Sequence, residues 1–238
     1  MHNYVITIPC RLNSKRFPEK LIQKFKGKEI FVHTYERCAK VCPKKNIFVL
    51  TDSDKIMNTC KKYNINFIPT KKNILTGSDR IASIRQILKS KVYINVQGDE
   101  PIINPKDILK IINIIKKNNK IVLNGYTQIT SKEAKIKSLP KVIFDKNENL
   151  IYMSRNAIPA DYTKKKNNKF FKQVCIYAYP RDILKYFNNK KTFLENLEDI
   201  EILRLVENSI NVKMIRLSST SFSIDLLSDL KKLKRIKG

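Results

Sequence analysis

The sequence predicts an α/β protein: a single doubly wound domain over residues 1–238, built on a mostly parallel sheet, with a small antiparallel excursion at residues 127–172. Three observations lead there. Short β-branched apolar runs alternate with amphipathic stretches of roughly 10 to 13 residues, the rhythm of βαβ units. The runs are apolar enough to be buried, as parallel strands are. The rhythm then breaks after residue 126, where two apolar runs flank a polar Asp-Lys-Asn-Glu-Asn turn.

In chain order, residues 4–9 (YVITIP) suit a buried strand, and residues 11–20 (RLNSKRFPEK) follow it as a polar, basic loop. Residues 29–41 carry Ile30, Phe31, Tyr35, Cys38, Ala39 and Val41 at close to helical spacing, and Pro43 ends that helix. Residues 47–51 (IFVLT) are the next strand, with Asp52 or Ser53 placed to cap the helix after it. Residues 64–68 read as strand, 78–88 as helix and 92–96 (VYINV) as strand. Residues 105–116 form a helix opened by Asn104 and Pro105 in the N-cap and first-turn positions, and residues 121–126 another apolar run. Residues 141–152 (KVIFDKNENLIY) read as a hairpin and 161–169 (DYTKKKNNK) as an exposed lysine-rich loop. A strand at 174–179, one long amphipathic helix at 194–208, a strand at 212–217 and a helix at 227–236 complete the chain.

Lys and Arg number 48 against 21 Asp and Glu, a net charge of +27. Such an excess suggests a nucleic acid or another polyanion as partner. The lysines are spread through every segment and travel with Asn and Ile, which share AT-rich codons, and no nucleic-acid module accompanies them, so nucleic acid is not the expected partner. No stretch approaches the roughly 18 apolar residues of a membrane span, and the first residues lack a signal-peptide pattern. The expectation is a cytoplasmic protein without a membrane partner. Five cysteines without paired metal-ligand spacing, and only two histidines, argue against a disulfide scaffold or structural zinc.

In an open parallel sheet, ligands bind outside the carboxyl ends of the strands, and four polar clusters fall there. Arg11, Lys15, Arg16 and Lys20, spaced around Ser14 and Pro18, let cations and backbone N–H groups surround one anion such as a triphosphate. Neither the Gly-x-x-x-x-Gly-Lys loop nor the dinucleotide glycine fingerprint is present, and a solvated basic loop is the plain alternative. Gln97-Gly98-Asp99-Glu100-Pro101 presents an acidic pair at a strand end, with Gly98 permitting close backbone approach; Asp99 is the better candidate for Mg²⁺ and Glu100 for a structural role. Asp225 offers a second carboxylate, or an ordinary N-cap. Thr76-Gly77-Ser78-Asp79-Arg80 reads as a turn capping a helix. Glu195, Glu198, Glu201 and Arg204, spaced by three, share one helical face, where like charges repel unless something cationic or hydroxyl-rich lies against them.

The order RLNSKRFPEKLI, TGSDR, NVQGDEP, YMSRNAIP, IYAYPRDIL, LENLEDIEILR and SIDLLSDL spans nearly the whole chain and resembles the CMP-Kdo synthetases, the cytidylyltransferases that activate 3-deoxy-manno-octulosonate (Kdo). NVQGDEP and the N-terminal loop are the specific matches; CMP-sialate synthetases share the first loop pattern and match less well beyond it. The resemblance implies a Rossmann-like nucleotidyltransferase and homodimer, with Mg²⁺ as cofactor and a small antiparallel dimerisation subdomain. It would transfer CMP from CTP to the anomeric hydroxyl of Kdo, releasing pyrophosphate, for lipopolysaccharide synthesis.

Carried over by position, Arg11, Ser14 and Lys20 would hold the triphosphate, and Ser78, Asp79 and Arg80 would shape the nucleotide and sugar pocket, Arg80 facing the sugar carboxylate. Gln97 would touch both ligands, Asp99 and Asp225 would hold magnesium and form the catalytic set with Lys20, and Tyr177, Glu198 and Glu201 would line the sugar site. Two departures bear on the sugar. Gln173 stands where the family usually has a histidine, within Gln173-Val174-Cys175-Ile176-Tyr177-Ala178-Tyr179, and Ile224-Asp225-Leu226-Leu227-Ser228-Asp229-Leu230 replaces a Val-Asp-Thr-Pro-Glu-Asp-Leu pattern while keeping the aspartate. A different acidic 2-keto-3-deoxy sugar, amino-octulosonate or nonulosonate, is therefore an alternative substrate. A non-catalytic polyanion binder is the alternative from outside enzymes. The apolar residues Ile143, Phe144, Ile151 and Met153 of the excursion call for a covering surface, a twofold partner or the chain's own domain.

Overall fold

The computed structural model describes residues 2–12, 16–160, 162, 169–218 and 223–235. The chain opens on β1 (His2–Cys10), a small antiparallel hairpin of β2 (Lys24–Phe25) and β3 (Lys28–Glu29), and α1 (Ile30–Ala39). It continues through β4 (Ile47–Thr51), α2 (Asp54–Lys62), β5 (Phe67–Pro69), α3 (Gly77–Ser83), β6 (Ser90–Val96) and α4 (Pro105–Lys117). Then follow β7 (Val122–Ile129), α5 (Ser131–Ala134), the hairpin β8 (Lys141–Phe144) and β9 (Leu150–Ser154), and the long β10 (Phe170–Pro180). The last elements are α6 (Phe193–Glu198), α7 (Leu203–Glu207), β11 (Val212–Arg216) and α8 (Leu227–Arg235).

The main sheet runs β11-β7-β10-β6-β1-β4-β5. β1 lies parallel to β4 and β6, β4 to β5, and β7 to β11. Its centre holds a strand of the opposite sense: β10 is antiparallel to both β6 and β7. Alternation along the strands feeds two cores. Ile6 and Ile8 of β1, Ile94 and Val96 of β6, and Ile176 and Ala178 of β10 face one core, packed by α1, α2, α4 and α8. Val5, Tyr93, Tyr177 and Tyr179 face the other, packed by α3, α7 and the β8–β9 hairpin. Helices on both faces are the doubly wound pattern the sequence predicts, and a period of two along continuous apolar runs is what allows both faces to be dry.

Helix starts follow local chemistry. Ser53 accepts from Ile56 N at 3.4 Å at the head of α2, and Asn104 accepts from Lys106 N at 3.0 Å, with Pro105 in the first turn of α4. Two expected helices differ. The one at 78–88 is regular only over Gly77–Ser83. The expected helix at 194–208 is two short helices, because the chain turns at Asp199 with φ +50. Arg155 explains why the chain stops helping itself there: it donates to Glu198 O at 2.6 Å and Asp199 O at 2.8 Å, satisfying carbonyls that a longer helix would bond.

The hairpin at residues 141–154 joins the main sheet through the pairing of Lys141 with Lys172. Met153 is fully buried, and Phe144 packs at 4.5 Å on Tyr126 and 5.2 Å on Phe171, so its own domain covers most of its apolar face. Ile151 remains 53% exposed, as do Phe193 and Leu197 of α6 at about seven-tenths. The expected loop at 161–169 lies mostly outside the described residues. Among the described residues, no helix is long and apolar enough to cross a membrane.

Candidate active site

β1 and β6 end side by side, and the loop after β6 can follow only because of Gly98. A Cβ built there would sit 2.6 Å from Cys10 Sγ and 3.2 Å from Pro9 O, so the backbone packs where no side chain fits. Thr34 Oγ1 donates to Gly98 O at 3.0 Å and fixes the turn from the α1 side. The next two residues then diverge. Glu100 is buried, whereas the Asp99 side chain stays partly open.

Asp99 meets residues distant in sequence. Ile224 N donates to Asp99 O at 3.0 Å and brings the segment before α8 alongside, which places Asp225 at the same point. Lys20 Nζ bridges the two aspartates, donating to Asp99 Oδ2 at 2.5 Å and Asp225 Oδ1 at 3.3 Å, and Arg16 donates to Asp225 Oδ1 at 3.0 Å. Burial opposes the charge on Lys20, but the adjacent carboxylates outweigh it and hold its pKa above the ordinary lysine value. Asp225 is not the N-cap of α8: Asp229 reaches back to accept from Asp225 N at 3.1 Å and Leu226 N at 2.9 Å, leaving the Asp225 carboxylate to Lys20, Arg16 and Ser223 Oγ. Of the expected triphosphate residues, Lys20 is thus in the centre, Arg11 donates instead to Leu75 O at 2.9 Å just before α3, and Ser14 falls outside the described residues, as does Lys15.

A second constellation surrounds the start of α3. Thr76 caps it, accepting from Asp79 N at 3.0 Å, and Glu201 accepts from Gly77 N at 3.0 Å and Ser78 N at 2.8 Å, so the exposed N–H groups of the first turn are satisfied from another element. Burial pushes the Glu201 carboxyl above its ordinary value, against these hydrogen bonds, which favour the anion. Ser78 Oγ pairs with Tyr179 OH at 3.0 Å, and Gln97 lies against Gly77, its Nε2 3.2 Å from where a Cβ would stand.

Two residues expected to face ligand turn inward instead. Asp79 is bound by Arg204 at 2.6 and 3.1 Å, and Arg204 also donates to Glu195 at 2.7 and 2.8 Å, with all three side chains about 1% exposed. Arg80, also buried, pairs with Asp52 at 3.3 Å and hydrogen-bonds Thr70. Charges this deep require partners, and those partners come from Asp52, Thr70 and the segment at 195–204, which no local reading of TGSDR supplies. Direct contact of Asp79 or Arg80 with nucleotide or sugar is at odds with this burial; Asp79 holds the turn through Thr76, whose Oγ1 donates to it at 2.6 Å, and Arg80 ties α3 to Asp52 and Thr70.

The expected common face of Glu195, Glu198, Glu201 and Arg204 dissolves with the broken helix. Glu195 pairs inward, Glu201 caps α3, and Glu198 holds the end of β9, accepting from Ser154 Oγ at 2.7 Å and Arg155 N at 2.8 Å. Glu198 and Glu201 thus anchor two different elements, the end of β9 and the start of α3. Tyr177 is buried and stacks on Tyr179 at 5.7 Å. Gln173, also buried, donates to Asn124 Oδ1 at 2.9 Å. Arg155 had no expected role beyond lying in YMSRNAIP; its anchoring of Glu198 and of the α6 terminus has no signal in spacing, since it depends on where the helix breaks.

Chemically, the centre at Lys20, Asp99 and Asp225 offers hard carboxylate oxygens that have come together around a cation, and adjoining basic groups that suit phosphate. Among the described residues, no group of three or more His, Cys, Asp or Glu converges as a metal cage. Two carboxylates match Mg²⁺, which takes one or two from protein and the rest from phosphate and water.

Comparison with known proteins shows the family. The cytidylyltransferase family model matches residues 5–215. A 3-deoxy-manno-octulosonate cytidylyltransferase of Chloroherpeton thalassium is 34% identical over 98% of this chain and 96% of its own. An 8-amino-3,8-dideoxy-manno-octulosonate cytidylyltransferase of Shewanella is 30% identical over 98% of both. Among solved structures, a CMP:2-keto-3-deoxy-manno-octonic acid synthetase complexed with CTP superposes with a TM-score of 0.89, at 30% identity over 97% of this chain and 96% of that one.

Proposed function

The chain belongs to the cytidylyltransferase family, among the 3-deoxy-manno-octulosonate cytidylyltransferases, and from that premise we propose that it transfers CMP from CTP to the anomeric hydroxyl of Kdo. The hydroxyl oxygen gives up its proton to solvent and forms a bond to the α-phosphorus, the bond from that phosphorus to the bridging oxygen breaks, and pyrophosphate leaves. The observation that carries this reading is the meeting of Lys20, Asp99 and Asp225 at the end of β6. Phosphoryl-type transfer asks for alignment and charge neutralisation rather than a covalent nucleophile, and this site is built of cations and carboxylates. Cys10 beside it is buried, with its thiol pKa pushed well up by that burial, which suits a packing role.

Mg²⁺ is the proposed cofactor, held by Asp99 and Asp225; bound there, it supplies positive charge against the phosphates. Lys20 and Arg11, with Ser14, hold the triphosphate. Ser78 and Gln97 form the nucleotide wall, kept in place by Asp79, Arg80 and Glu201. Glu198, Glu201 and Tyr177 lie on the sugar side, with Arg155 between β9 and α6. The exposed Ile151, Phe193 and Leu197 support a homodimer through the excursion and its neighbour α6. The absence of a membrane-spanning helix among the described residues is compatible with the cytoplasm, where CTP is made.

One observation favours a second reading of the sugar alone. Gln173 keeps a donor and an acceptor but no positive charge where the family usually has histidine, and a relative named for the 8-amino sugar matches this chain nearly end to end. A panel of Kdo, its 8-amino analogue and a nonulosonate, each with CTP and Mg²⁺, separates these readings by pyrophosphate release. Kdo is expected to give the highest kcat/KM. Preference for the amino sugar would reassign the substrate, and no release with any of them would sink the reading.

A further inference from the structure

Resting on the reading of Asp99 and Asp225 as metal ligands, we propose that Lys20 is an internal counter-ion that keeps divalent metal off this pair until a nucleotide takes the ammonium away. The Lys20 ammonium sits against Asp99 Oδ2 and Asp225 Oδ1, and Arg16 donates to the same Asp225 oxygen. Two negative charges therefore face two positive ones, and the cluster is neutral without metal. A magnesium ion approaching alone gains little there: it must shed water, which it does reluctantly, and be repelled by two cations. A triphosphate changes the balance. It carries several negative charges, and the Lys20 stem is flexible with three donors on its head, so the ammonium can turn to phosphate and leave the carboxylates to a divalent cation.

The carboxylates do not depend on Lys20 for their position. Ile224 N to Asp99 O ties the two segments through the backbone, and Asp229 holds the Asp225 and Leu226 amides. Departure of the ammonium thus leaves a preformed pair of ligands rather than a loose loop. Charge changes hands within one fixed frame, and metal uptake becomes conditional on nucleotide.

The test is titration calorimetry of Mg²⁺ alone into the full chain, without nucleotide, for wild type, Lys20→Arg, Lys20→Met and Lys20→Met/Asp99→Asn, with melting curves in parallel. Wild type and Lys20→Arg are expected to bind weakly. Lys20→Met is expected to bind at least about tenfold tighter, as removal of one adjacent charge implies, and its melting temperature should rise with Mg²⁺. The gain should vanish in the double variant. Tight metal binding by wild type, or a folded Lys20→Met without gain, overturns the proposal. Should Lys20→Met fail to fold, wild-type CTP binding in EDTA decides: binding supports nucleotide-first order, and a strict requirement for metal contradicts it. Failure of the underlying reading looks different, because Asp99→Asn would then keep Mg²⁺-dependent turnover whatever Lys20→Met does.

Discussion

Arg204→Met should leave the fold recognisable but strip the support from under α3. The guanidinium makes four hydrogen bonds, two to Glu195 and two to Asp79, with every partner about 1% exposed. Burial alone would lower the Arg204 pKa, but the two carboxylates outweigh it and raise it above the usual value, so the arginine is charged at any working pH. Methionine fills much of the volume and removes the charge, leaving two buried carboxylates without a cation, held only by neutral donors such as Thr76 Oγ1 and Asn189 N. Removing one partner from such a cluster costs about 3–5 kcal/mol, and at about 2–4 °C per kcal/mol for a chain of this size the melting temperature should fall by roughly 10 °C. The pH dependence separates electrostatics from lost packing. Stranded carboxylates take up protons more readily folded than unfolded, so the variant's deficit should grow as pH rises from about 5 to 8 and shrink as it falls. Circular dichroism melts of both proteins across that range measure it. A drop under about 2 °C, or a deficit independent of pH, would refute the view that the cation holds this cluster together.

Three further outcomes follow from named contacts. Asp99→Asn should lower turnover by at least about a hundredfold with the melting temperature little changed, since charge stabilisation at the reacting phosphate is removed; steady-state kinetics checks it. Gly98→Ala should destabilise the fold by about 1–3 kcal/mol through the clash with Cys10 Sγ, and Cys10→Ala in the same chain should recover part of that in denaturant titrations. The thiols should react slowly with an aromatic disulfide at pH 8 in the native protein, because burial pushes Cys42 up to about 11 and Cys60 up to about 12; all five should react at once in guanidinium.

How far the sequence reaches is clearest element by element. The strands at β1, β4 and β6 and the polar loops after them are legible because burial on both faces makes short continuous apolar runs, and ligand residues sit just beyond. The position of Asp99 just beyond β6 is legible in that way, with Glu100 turned inward beside it. The sense of β10 is not, since an antiparallel central strand has the same apolar pattern as a parallel one. The break at Asp199 is equally hidden, because spacing of three predicts one face and the guanidinium that ends α6 comes from Arg155, 43 and 44 residues away. Asp79 and Arg80 illustrate the same limit at the site: their polarity suggests ligand contact, while their depth is set by Arg204 and Asp52, 125 and 28 residues distant. Arg16 follows the same pattern, since its partner Asp225 lies 209 residues on.

The proposed reaction is displacement at the α-phosphorus of CTP, at the centre formed by Lys20, Asp99 and Asp225. Phosphorus NMR of the full chain incubated with CTP, Mg²⁺ and Kdo tests it directly. The CTP resonances are expected to give way to one phosphodiester resonance and pyrophosphate in equal amounts, with Asp99→Asn leaving CTP essentially unconverted over the same interval. Appearance of CDP with orthophosphate, or conversion that proceeds equally well in Asp99→Asn, would contradict it.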